Sequence, residues 1–164
     1  MIHPMKPKIQ LRNVEAADLP LFFEHQRDPI AVAMVAFNSR DRAAFDQHWA
    51  KLLADDSCLK KKIIVASAVS AENQVAGNIG SWTSEGKREV GYWLDRAFWG
   101  RGVATEALTA FLCLEPIRPL HAGVAKHNVA SIRVLQKCGF TLTRSAEEES
   151  NDADASHVLL TLGT

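Results

Sequence analysis

With 164 residues, 47% of them apolar and 23% charged, the chain has the size and balance of one globular domain. Nineteen basic residues offset nineteen acidic ones, so the formal net charge is zero and bulk electrostatic binding to nucleic acid is not expected. The longest apolar stretch, Ile63 to Val69, is too short for a bilayer and the opening MIHPMKPKIQLR lacks a signal-peptide core, so no membrane partner is expected. Cys58, Cys113 and Cys138 stand at no metal-ligand or redox spacing, so no metal and a reducing, cytoplasmic setting are the expectation.

In chain order, Lys8 to Arg12 alternates charge and apolar residues and reads as a short strand. Glu15 to Arg27 reads as a helix with Leu19, Phe22 and Phe23 at helical spacing, Asn13 as candidate cap and Asp28-Pro29 as its stop. Ser39 begins a second helix with Phe45, His48, Trp49, Leu52 and Leu53 on one stripe. The period then shortens. Lys62 to Val69, Val75 to Trp82 and Glu89 to Leu94 read as three antiparallel strands, with a turn at Ser70 to Gln74 and another at Ser84-Glu85-Gly86. Gly100 to Leu114 follows as a helix broken by Pro116 and Pro119. His121 to Ala125 is a strand and Asn128 to Lys137 a helix that Gly139 closes. Phe140 to Thr143 and His157 to Leu162 form the last strand pair, around an acidic loop. The order βααβββαβαββ predicts an α+β fold, a central twisted and mostly antiparallel sheet with helices on both faces.

The segment with most chemistry is Leu94-Asp95-Arg96-Ala97-Phe98-Trp99-Gly100-Arg101-Gly102-Val103-Ala104-Thr105. A strand runs into a turn with two glycines and then into a helix. Glycine permits close backbone approach, and a first helical turn offers unpaired N–H groups carrying about half a positive charge. A diphosphate fits such an end, and Arg101 adds a full charge. The dinucleotide fingerprint needs a third glycine where Thr105 stands, and no Walker lysine follows. A tight turn without any ligand is the plain alternative.

Two further stretches, Glu89-Val90-Gly91-Tyr92-Trp93-Leu94 and Asn128-Val129-Ala130-Ser131 through Gly139-Phe140, together with that turn, resemble the GNAT superfamily of acetyl-CoA-dependent N-acetyltransferases. Within it the chain is most similar to the ribosomal-protein-alanine N-acetyltransferase branch. The resemblance runs from Leu11-Arg12 and Asp18-Leu19-Pro20 to the last hairpin. It departs at Trp99, which holds the slot where most members carry Gln or Arg. It also implies one domain over residues 1–164, with the sheet splayed between its fourth and fifth strands.

The resemblance implies acetyl-CoA as co-substrate and an amine as acceptor, either a protein N-terminus or a small molecule, in a monomer or homodimer. Tyr92, Trp93 and Leu94 then border the pantetheine arm, and Gly100, Arg101, Gly102, Val103, Ala104 and Thr105 hold the diphosphate. Gly91 marks either a bulge or a packing contact. Ser131 is the candidate donor to the leaving thiolate. Asn128 either binds the pantetheine amide or caps its helix. Glu89 is the candidate base and Glu147 its rival, with bare water as the third option. Many members use a tyrosine as acid, and Tyr92, placed on the meander, is set aside for that role. Deprotonating an α-amine of pKa about 8 at pH 7 costs about 1.4 kcal/mol, against about 4.6 kcal/mol for a lysine, so a weak base suffices for chain termini. Two other readings stand beside this one: a non-catalytic acyl-CoA sensor, and a nucleotide-binding enzyme built on the glycine turn.

Overall fold

The computed structural model describes residues 7–35, 39–66, 73–144 and 157–163. Among these residues seven strands form one sheet: β1 (Ile9–Asn13), β2 (Leu59–Val65), β3 (Gln74–Ser84), β4 (Lys87–Leu94), β5 (Leu120–Ala125), β6 (Thr141–Arg144) and β7 (His157–Leu162). Their spatial order is β1-β2-β3-β4-β5-β7-β6, and every neighbouring pair is antiparallel except β4 and β5. The described residues also form five α-helices: α1 (Leu19–Arg27), α2 (Pro29–Ala33), α3 (Arg42–Ala54), α4 (Val103–Leu112) and α5 (Val129–Lys137). This is the expected α+β architecture, with one helix more than the expected order. Among the described residues, no helix is long and apolar enough to cross a membrane.

Two cores lie on the two faces of the sheet. Under α4 and α5, Phe111, Leu108, Val103 and Leu135 pack on Ile63, Ile79, Val90, Leu120 and Leu160. On the other face α1 and α3 bring Phe22, Phe45 and Trp49 together, the Phe22 and Trp49 rings 5.4 Å apart. Each such side chain contributes about 1.5–3 kcal/mol through burial.

Local chemistry explains where the elements differ from expectation. Asn13 is the last residue of β1 and caps nothing; Glu15 and Asp18 form a reciprocal capping box over the turn that leads into α1. Asp28-Pro29 ends α1 as expected, but the same pair starts α2, with the Asp28 carboxylate accepting from the Ile30 amide at 3.1 Å. The second long helix begins at Arg42, because Asp41 is its cap and accepts from the Ala44 amide at 2.8 Å. β2 begins at Leu59, earlier than the Ile-Val run suggests, since its lysines find acceptors: Lys60 on the carbonyls of Leu52 and Asp55, Lys62 on Asp18. Its expected end at residues 67–69, and most of the turn at Ser70 to Gln74, lie outside the described residues. The β3–β4 hairpin closes on Glu85 and Gly86, with φ of 51° and 77°, the signature of a two-residue primed turn.

The β4–β5 seam carries the functional consequence. These strands pair only at Arg88↔Leu120 and Glu89↔His121. Beyond those two positions they part, so among the described residues Val90–Leu94 has β3 on one side and no strand paired on the other.

Candidate active site

The gap between β4 and β5 opens into a cleft of about 720 Å³. Strand alternation sorts its walls. Val90, Tyr92 and Leu94 face the α4–α5 core, whereas Glu89, Gly91 and Trp93 face the side of α1 and α2. The α2 segment adds Ala31, Met34 and Val35 as an apolar wall, and Trp82, Trp93 and Trp99 also line the cleft.

At the mouth, a single 3-10 turn (Arg96–Phe98) leads to Trp99, whose indole N–H donates to the Leu94 carbonyl at 2.9 Å. That bond ties the turn to the end of β4, which is the local use of the residue that departs from the family pattern. Gly100 and Gly102 have φ of 73° and 78°, left-handed positions that keep α4 from starting before Val103. The first helical bond runs from the Glu106 amide to the Gly102 carbonyl, so the amides of Val103, Ala104 and Thr105 precede the ladder. A Cβ on Gly100 would meet nothing within 4 Å, and one on Gly102 only Pro7 at 4.0 Å. Open space in front of free amides at a helix N-terminus fits a diphosphate.

Across the gap, Asn128 caps α5, its Oδ1 accepting from the Ser131 amide at 3.2 Å. This cap aims the first turn of α5 at β4, and the Tyr92 hydroxyl lies 2.8 Å from Ser131 Oγ. Burial pushes the Tyr92 phenol above its ordinary range and the Ser131 hydrogen bond only partly offsets this, so the phenol stays protonated near neutrality. The sequence reading that set Tyr92 aside as a hydroxyl near this helix is corrected here. It missed the contact because residues 39 apart meet only through the parting of the sheet.

Ten of the twelve expected site residues line the cleft: Tyr92, Trp93, Leu94, Gly100, Gly102, Val103, Ala104, Thr105, Asn128 and Ser131. Two do not. Arg101 is exposed on the outside of the turn, its guanidinium 5.7 Å from the centroid of the Phe98 ring. Glu89 lies in the paired part of the seam, opposite His121, and accepts the Trp82 indole N–H at 3.0 Å. Glu147 and the acidic loop around it lie outside the described residues. Gly91 sits in regular register with Gly80 and marks no bulge; a Cβ there would meet the Trp82 ring at 2.8 Å, so close packing against that indole explains it. Sequence reasoning missed Arg133 and Lys137, which line the cleft one helical turn apart on α5. Their i, i+4 spacing was the available signal. His127, which the sequence offers either as a proton relay before α5 or as a surface residue, does not line the cleft; it donates from Nε2 to the Ala33 carbonyl at 2.9 Å and so joins the start of α5 to α2.

Comparison with known proteins gives a consistent picture. The family model described as an acetyltransferase (GNAT) domain matches residues 8–141. No curated protein is matched by sequence. Among solved structures, an acetyltransferase from Agrobacterium tumefaciens superposes with a TM-score of 0.75 at 18% identity, covering 100% of this chain and 98% of that one. Spermidine N-acetyltransferase from Vibrio cholerae, in complex with CoA and spermine, gives 0.74 at 14% identity over 93% and 92% of the two chains. RimL, a ribosomal L7/L12 α-N-protein acetyltransferase in complex with coenzyme A, gives 0.72 at 19% identity over 93% and 92%.

Proposed function

Because the chain belongs to the acetyltransferase (GNAT) domain family, and so is an acyltransferase using acetyl-CoA, we propose that it moves the acetyl group directly onto a primary amine bound on the α1–α2 side of the cleft. The observation that carries the reading is the parting of β4 and β5 immediately beside the free N-terminus of α4. The pantetheine arm completes the interrupted sheet by pairing with the exposed edge of Tyr92–Leu94. The diphosphate takes the amides of Val103 to Thr105, with Arg133 and Lys137 supplying the full positive charges that Arg101, turned outward, does not.

The two faces of β4 divide the chemistry. An amine attacking from the α1–α2 side meets the Trp82 indole that lines the cleft, and Glu89, held behind it by the Trp82 N–H, accepts the proton through water. The thiolate departs on the opposite face, where Ser131 donates its hydroxyl and Tyr92 supports Ser131 from behind. Asn128 reaches the pantetheine amide only with the part of its side chain that the Ser131 cap leaves free. All of these residues come from one chain, so the reading works for a monomer or a homodimer. The acceptor that fits best is an unhindered α-amine of a protein N-terminus, as in the ribosomal-protein branch, or a small amine of similar basicity.

The test is acceptor-dependent release of free thiol from acetyl-CoA, with peptides bearing N-terminal alanine or serine, spermidine and simple monoamines offered in parallel. Thiol release that needs none of these amines, or no release at all, would overturn the proposal.

A further inference from the structure

Among the described residues, a buried ion pair lies away from the cleft. Glu115, Arg88 and Ser81 are buried, at 1%, 6% and 1% exposure. Arg88 donates from Nε and Nη2 to Glu115 Oε2 at 3.0 and 2.8 Å, and from Nη2 to Ser81 Oγ at 3.1 Å. Ser81 Oγ donates to the same carboxylate at 2.5 Å, and the Ile117 amide occupies Oε1 at 3.1 Å. Burial pushes the Glu115 carboxyl up, but these hydrogen bonds and the Arg88 charge outweigh it and hold the group ionised. An apolar trio of similar volume generally packs as well as such a cluster, so its position in the fold bears on its use.

That position is the branch point of the sheet. Ser81 is on β3 and Arg88 on β4, while Glu115 follows α4 and begins the connection to β5. Arg118 fastens the same connection by donating to the carbonyls of Glu115 and Ile117. The chain then returns as Leu120, the residue that pairs with Arg88 in the β4–β5 seam. Arg88 therefore grips, through its side chain, the segment that meets its own backbone. We propose that the Ser81–Arg88–Glu115 cluster is the pin that fixes where β4 and β5 diverge and so sets the width of the gap, making Arg88 and Glu115 positioning residues for the pantetheine arm. This rests on the reading of the gap as the coenzyme A site. The leverage is large. β5 reaches about 17 Å from Leu120 to Ala125, so a tilt of about 5° at the pin moves the Asn128–Ser131 end by about 1.5 Å.

The experiment compares two probes by calorimetry: coenzyme A, and 3′-phosphoadenosine 5′-diphosphate, which carries the phosphates but no arm to enter the gap. The variant is the apolar triple Ser81→Ala/Arg88→Met/Glu115→Leu, checked for cooperative melting. The expected result is coenzyme A binding weakened about tenfold or more with the nucleotide fragment held within about twofold of wild type. A merely structural role weakens both probes together. Coenzyme A binding within about twofold of wild type in the folded triple overturns the proposal, as does equal loss of both. Should the triple fail to fold, Arg88→Lys decides, because it keeps the charge and loses the planar fork. Selective weakening of coenzyme A supports the pin and wild-type affinity refutes it. Wild-type protein that binds the fragment but not coenzyme A overturns the gap reading itself, and this proposal with it.

Discussion

Ser131 and Tyr92 are joined by one hydrogen bond, and separating their contributions is the sharpest question at the scale of single residues. Ser131→Ala is expected to lower kcat on the order of 10²-fold with little change in coenzyme A affinity, because the hydroxyl acts on the leaving sulfur. Equal loss in both quantities would make it a binding residue. Tyr92→Phe is expected to cost less activity, about tenfold, since it removes the support and leaves the donor. It also carries a pH signature. The folded phenol holds its proton more tightly than the unfolded one, so its contribution to stability is complete below the ordinary phenol pKa of about 10 and is lost as pH rises through the folded value. Urea unfolding followed across that alkaline range should show a slope in wild type that Tyr92→Phe reduces. Ser131 was legible from the sequence as a hydroxyl in the first turn of a helix; its partner was not. Alternation along β4 places Tyr92 opposite Glu89 in facing, but only the divergence from β5 brings its ring to α5.

Among the elements, the turn from β4 into α4 was the most readable, since two glycines between a strand and an amphipathic helix leave few alternatives. Gly102→Val is expected to forfeit coenzyme A binding in calorimetry, for two separable reasons. A β-branched residue at φ 78° costs about 1–2 kcal/mol of local strain, and its side chain stands where the amides of α4 are open. Retained affinity would remove the diphosphate from that place. The helix α2 escaped sequence reading because five residues, Pro-Ile-Ala-Val-Ala, carry no complete apolar period, and only the Asp28 cap announces them. The early start of β2 escaped for another reason. Three consecutive lysines read as solvated chain until their acceptors on α3 and beside α1 are known, and those acceptors are tertiary facts.

For the whole molecule, ligand linkage gives a test that needs no acceptor. Coenzyme A at about a hundred times its dissociation constant adds about 2.7 kcal/mol, which raises Tm by about 5–10 °C for a chain of this length. NAD and ATP should leave it nearly unchanged, and greater protection by either would favour a nucleotide enzyme. Acid stability has its own marker in His25, buried between α1 and the β4 end, 3.8 Å from Asp95. Burial lowers its pKa and Asp95 only partly counters that, so its contribution is present above the ordinary histidine value of about 6.5 and is lost as pH falls toward the folded one. Unfolding at about pH 7.5 and about pH 5.5 should show a loss that His25→Gln diminishes. The chain order of the elements and the helices on both faces were legible because alternation and amphipathic periodicity report burial, whereas the spatial order of the strands, with β7 between β5 and β6, was not. The Arg88–Glu115 bond was not, since nothing in local pattern tells a buried charge from a solvated one. The two-position seam also bears on hydrogen exchange. The edge of β4 from Tyr92 to Leu94 that β5 leaves unpaired is expected to exchange its outward amide hydrogens with bulk solvent faster than the fully paired strands do. An occupant hydrogen-bonded along that edge is expected to slow the exchange, so protection from deuterium should rise together with the supply of acyl donor.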